Sequence, residues 1–96
     1  MSNKGKTEEE TTYNNIVGRN IKYLRKQNKF TQTDIGRAIG VSFQQVQKYE
    51  NGINGLHSHN LKKIAHRCFN TSMDALSDPQ MIIKHKGFSE VAPEWL

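Results

Sequence analysis

Two helix-start signals stand close together in the middle of the chain: Thr31 with Asp34 three residues on, and Ser42 with Gln45 three residues on. In each, a hydroxyl can accept from the backbone N–H three residues ahead while the later side chain reaches back to the cap residue. Between them lies Gly40, the residue best suited to end a helix in the left-handed region. The predicted helices are therefore Gln32 to Ile39 and Ser42 to Glu50, with Asn51-Gly52 ending the second. The turn joining them is too short to let them lie antiparallel, which is the helix-turn-helix arrangement. Phe30 and Val41 precede the two caps and are placed to staple onto Ile35 and Val46. Gly36 is costly inside a helix and implies another helix crossing closely there.

The outer face of the later helix has an unusual composition. Val46 and Tyr49 stand three residues apart and face inward, leaving Phe43, Gln44, Gln47 and Lys48 outside. An ordinary solvent face prefers Glu and Lys, whereas glutamine carries a donor and an acceptor on one planar head and can pair with a base edge in a DNA groove. The helix therefore reads as a recognition helix, with the rest of the chain as its scaffold.

Charge supports a polyanionic partner. Residues 13–72 hold ten Lys and Arg against only Asp34 and Glu50, a balance of +8, while residues 1–12 sum to −1 and residues 73–96 to −2. A basic body between mildly acidic ends points to nucleic acid first and to an anionic membrane surface second. No window approaches eighteen apolar residues, and Ser-Asn-Lys-Gly-Lys stands where a signal peptide needs an apolar run, so a soluble, cytoplasmic protein is expected. A chain of 96 residues holds one small domain.

The remaining elements follow from periodicity. Residues 1–12 have no large apolar side chain after Met1 and predict a disordered arm, with Lys4 and Lys6 offset by Glu8, Glu9 and Glu10. Ile16, Val17, Ile21 and Leu24 predict a first helix from about Asn15 to Gln27, capped by Asn14 or Asn15 and flanked by Arg19, Lys22, Arg25 and Lys26. Asn51-Gly52 and Asn54-Gly55 mark a loop. Ser58 caps a fourth helix carrying Leu61, Ile64, Ala65, Cys68 and Phe69, with Lys62, Lys63 and Arg67 on its solvent side. Thr71 or Ser72 caps a short fifth helix through Met73 and Leu76, which ends before Asp78-Pro79. The expectation is an all-α body of five helices over residues 13–78, followed by a tail, 79–96. Met81-Ile82-Ile83, Phe88, Val91, Trp95 and Leu96 are large groups for a tail, and they either fold back or bury against a second copy.

Little suggests catalysis. Cys68 is the sole cysteine and sits among apolar neighbours, which favours a packed thiol over a nucleophile. His57 and His59 lack the carboxylate or thiolate partners of a zinc site, and neither a nucleophilic triad nor a glycine-rich phosphate loop is present. No enzyme activity, metal or cofactor is expected.

Residues 16–76 resemble the Cro/C1-type (XRE-like, lambda-repressor-like) helix-turn-helix domain. The resemblance rests on Thr31-Gln32-x-x-Ile35-Gly36-x-x-Ile39-Gly40-Val41-Ser42, then Val46, Tyr49-Glu50-x-Gly52 and Leu61-x-x-Ile64-Ala65. It departs from the family at Gly36, where alanine is more frequent, and it is silent after Pro79. It implies a five-helix fold and double-stranded DNA as partner, with Phe43, Gln44, Lys48 and, more weakly, Gln47 facing bases. Gln32 would donate to a phosphate and brace Gln44, while Ser42, Asn51, Thr31 and Asn54 would lie at the DNA backbone. Arg25 and Glu50 look like the family's ion pair between first and third helices. The expected function is a regulator, a repressor before an activator, acting as a homodimer. An antitoxin that uses residues 81–96 to bind a protein partner is the alternative. An RNA-binding role lacks a platform of paired exposed aromatics.

Overall fold

Thr7 opens the first helix. Its hydroxyl accepts from the Glu10 N–H at 3.0 Å while the Glu10 carboxylate accepts from the Thr7 N–H at 2.9 Å. The computed structural model describes residues 7–86, and in it α1 runs Glu8–Gln27. This corrects the expectations of a disordered arm through residue 12 and of a cap at Asn14 or Asn15. Apolar periodicity begins only at Ile16, but the reciprocal cap and three glutamates in the first turn, which oppose the positive end of the helix dipole, extend the helix toward the N-terminus. Residues 1–6, with Lys4 and Lys6, lie outside the described residues.

Helices α2 (Gln32–Ile39) and α3 (Phe43–Glu50) follow at the positions the caps dictate. Thr31 and Asp34 form the reciprocal box, at 3.0 and 2.8 Å. The second box is only half made: Ser42 accepts from the Gln45 N–H at 3.2 Å, but the Gln45 amide turns away to Asn54. Gly40 takes φ 77°, and the Val41 N–H returns to the Gly36 carbonyl at 2.9 Å, folding the turn back over α2.

Beyond α3, helix α4 (Ser58–Lys63) runs without a break into a π-helical turn, Ile64–Cys68. Ser58 is the first helical residue rather than the cap; His57 occupies the cap position and makes no side-chain cap bond. The even helical spacing expected through Phe69 gives way to a widened turn in which the Phe69 N–H reaches the Ile64 carbonyl at 3.2 Å. An apolar pattern at this spacing suits either winding, so periodicity alone does not separate them. Helix α5 (Met73–Leu76) is capped by Ser72, and a sixth helix, α6 (Met81–Lys86), forms from the short apolar run. Among the described residues the chain is helical with no strand, and residues 87–96, with Phe88, Val91, Trp95 and Leu96, lie outside them.

The core gathers Val17, Ile21 and Leu24 of α1 with Ile35, Ile39, Val46, Leu61, Ile64, Ala65, Leu76 and Met81. Met81 makes the start of α6 part of the domain. Asn20 lies fully buried within it; its amide nitrogen donates to the carbonyls of Leu76 at 3.0 Å and Asp78 at 2.9 Å. Arg19 adds a bond to the Pro79 carbonyl at 3.1 Å. One side-chain amide and one guanidinium, and not apolar contact alone, thus fasten the α5–α6 junction to α1.

Candidate nucleic-acid interface

Helix α3 is fixed to the body by groups on its inner side. Val46 is 1% exposed and Tyr49 half buried. Gly18 of α1 brings the backbones together: a Cβ there would meet the carbonyl oxygen of Tyr49, with the Glu50 carbonyl oxygen at 2.6 Å. At Gly36 a Cβ would meet the Val41 carbonyl oxygen. The close neighbour of Gly36 is therefore the backbone of the turn and not a crossing helix, and an alanine there would press on the turn.

Glu50 ends α3 with a buried carboxylate. Arg25 Nε donates to Oε2 at 2.6 Å and a terminal nitrogen of the same guanidinium to Oε1 at 3.1 Å. The second terminal nitrogen reaches the Phe30 carbonyl at 3.1 Å. This is the ion pair implied by the resemblance, in two-point form. A third donor is Gln32 Nε2, 3.0 Å from Glu50 Oε1. Gln32 therefore braces Glu50 and not Gln44. The reason is desolvation: a carboxylate with a side chain 1% exposed draws in every donor within reach.

On the outer side, Phe43, Gln44, Gln47 and Lys48 are all exposed, Phe43 by 47%. Their spacing puts them on one side of α3. Among the described residues the side chains of Gln44, Gln47 and Lys48 make no hydrogen bond or ion pair, so these amides and the ammonium remain available. Of the five residues expected at a DNA backbone, Ser42 and Asn51 bound α3, Asn54 is bonded to it, and Thr31 and Gln32 open α2. Thr31 and Ser42 start the two helices, and their cap bonds use hydroxyl oxygens as acceptors; the Ser42 O–H is left to donate, whereas that of Thr31 turns to the Asp34 carboxylate. Gln32 retains part of its amide. Asn51 follows α3, and Asn54 Oδ1 accepts from Gln45 Nε2 at 3.1 Å, which ties the loop to the recognition helix. Gly52, at φ 74°, lets that loop leave α3 against Asn15 of α1.

Sequence reasoning missed the Gln45–Asn54 bond because it spent Gln45 on the cap. It also missed Gly18, where a glycine in the middle of a strongly helical stretch was the available signal. Cys68 is half buried, and burial pushes its thiol up, away from thiolate chemistry. Among the described residues no three His, Cys, Asp or Glu side chains group to hold a metal ion, and no helix is long and apolar enough to cross a membrane.

Comparison with known proteins agrees with this geometry. The helix-turn-helix family model matches residues 21–76, more than half of the chain. An uncharacterized HTH-type transcriptional regulator, y4wC, of Sinorhizobium fredii is 47% identical over 49 residues, covering 51% of this chain and 34% of the relative. A transcriptional regulator in the ATPase CF(0) region of Rhodospirillum rubrum is 43% identical over 49 residues, covering 51% of this chain and 45% of its own length. Antitoxin PezA of Streptococcus pneumoniae is 32% identical over 68 residues, 70% of this chain and 42% of the antitoxin. The chain thus spans about a third to under half the length of these curated relatives. No solved structure gives a significant match. With the capped helix pair, the glycine turn and the Arg25–Glu50 pair all in place, the chain belongs to the helix-turn-helix family, in its Cro/C1 (XRE-like) transcriptional-regulator type.

Proposed function

We propose that the protein binds double-stranded DNA in a sequence-specific way and represses transcription as a homodimer on a two-fold-related operator. One observation carries the reading: Phe43, Gln44, Gln47 and Lys48 form an exposed row on a helix whose other side is locked to the body. Gln44 can bind adenine through both amide groups, Lys48 can reach guanine O6 and N7, and Phe43 can pack on a thymine methyl. Gln47 is a weaker fourth. Thr31, Gln32, Ser42, Asn51 and Asn54 surround the row with donors suited to phosphates. One copy reads only a few base pairs, so a second copy one helical turn away, ~34 Å, lengthens the site. Occupying an operator excludes polymerase with no further contact, which favours repression.

Selection of bound duplexes from a random pool tests this directly, since the enriched motif gives half-site and spacing together. Gln44→Ala is expected to weaken the cognate complex by about 1–3 kcal/mol and to leave binding to random DNA nearly unchanged. Equal weakening on both would remove Gln44 from base reading.

The similarity to the antitoxin supports a second reading, in which residues 81–96 bind and neutralise a toxin while the same helices bind DNA. Met81 belongs to the core, so the informative truncation falls after Lys86. Loss of dimerisation and operator affinity on removing residues 87–96 supports the repressor; loss of a co-purifying protein with DNA binding intact supports the antitoxin.

A further inference from the structure

A second basic surface is left over once α3 is accounted for. His59, Lys62, Lys63, His66 and Arg67 recur at the spacing of one helix face, and in the structure they line a single cleft of about 280 Å³ on α4 and the π turn. The opposite face carries Leu61, Ile64 and Ala65, all buried in the core. Among the described residues no carboxylate lines the cleft, and none of the five side chains makes a hydrogen bond or ion pair. Arg19, Arg25 and Lys84, by contrast, all have acceptors.

We propose that this face is a second, sequence-independent binding surface for the phosphate backbone of duplex DNA, separate from the recognition row. The choice of occupant follows from the lining. Cores of protein–protein interfaces are rich in Tyr, Trp and Phe and poor in Lys, and a helix lying in a membrane interface needs apolar anchors beside its cations; among the described residues no Tyr, Trp, Phe or aliphatic residue lines the cleft. A phosphate backbone asks only for cations at a short repeat. The stripe rises about 12 Å along the helix, the span of roughly three to four phosphates on one strand. Its support also differs: α4 and the π turn pack on α2, whereas α3 packs on α1 and α2. The reading row and this stripe thus stand on different elements, and the stripe takes up a second duplex segment while α3 reads the first.

The test uses the full chain with Lys62→Gln, Lys63→Gln and Arg67→Gln combined, its fold checked by circular dichroism and melting. Binding to a random 60-base-pair duplex is followed between 50 and 200 mM salt. Capture of a labelled duplex by protein already held on an immobilised one is measured alongside. The triple variant is expected to lose the capture and to show a salt dependence less steep by about 2 to 3, close to 0.9 for each lost phosphate contact. Exchange of the exposed Lys22 and Lys26 of α1 for glutamine, outside both surfaces, is expected to keep the capture, while the cognate-site loss of Gln44→Ala reads α3 alone, so failure of the α3 reading and failure of this proposal give different results. An unchanged slope with capture retained overturns the proposal.

Discussion

Glu50 shows how a single residue ties reading to stability. Its carboxylate takes three donors from Arg25 and Gln32 in a site where its side chain is 1% exposed and that of Arg25 12%. Such a pair adds little net stability relative to a well-packed apolar pair, yet removing one half strands the other charge. Glu50→Ala is expected to cost about 3–5 kcal/mol, which for a domain of this size lowers the melting temperature by more than ~10 °C. Arg25→Met with Glu50→Leu should recover much of that loss; a double variant as unstable as the single one would contradict this account. Asp34 makes a different, pH-dependent contribution. Its bond from the Thr31 backbone N–H, and then the bond to the Thr31 side chain, hold its carboxyl below the ordinary aspartate value. The folded-state value is depressed, so this stabilisation is present above the unfolded value near ~3.9 and is lost as pH falls through the lower folded value. Urea melts of Asp34→Asn and the parent should therefore converge in strong acid and separate at neutral pH.

At the scale of elements, the geometry of α3 is decided by backbone approaches that side-chain patterns describe poorly. Gly18→Ala places a methyl group against the carbonyls of Tyr49 and Glu50, which cannot move aside as a flexible side chain would. The expected cost is at least about 1–3 kcal/mol, together with weaker operator binding as α1 and α3 separate; an alanine variant of unchanged melting temperature would show that the two helices can part freely. Ser42→Ala removes the sole side-chain cap of α3 and should cost about 0.5–2 kcal/mol by the same measurement. The helix boundaries were legible from such caps: Thr31 and Ser42 sit where the sequence puts them, and of the two candidates before α5 it is Ser72 that caps. Thr7 with Glu10 carries the same reciprocal pattern, but the expected start of α1 followed its apolar periodicity, which begins only at Ile16. The π turn was not legible at all, because Leu61, Ile64, Ala65 and Cys68 suit either winding.

At the scale of the molecule, the junction of α5 and α6 closes the core against α1. Asn20 bridges the Leu76 and Asp78 carbonyls with no exposure to water. Asn20→Ala leaves both carbonyls without that donor and opens space, and is expected to cost roughly 1–3 kcal/mol. Hydrogen exchange should then rise in α5 and α6 before α2 and α3, and a uniform rise throughout would show that the junction does not unfold separately. The sequence by itself determined the all-α class, the limits of α2 and α3, the exposed row on α3 and the partner of Arg25. These rest on local chemistry, on caps, a glycine turn and helical periodicity acting over a few residues, with the ion pair coming from the family resemblance. Only the tertiary structure decided what Gln32, Gln45, Gly18 and Asn20 do. Each meets a group distant along the chain or across a turn, and a polar or small residue reveals its role only when burial or close approach fixes its partner.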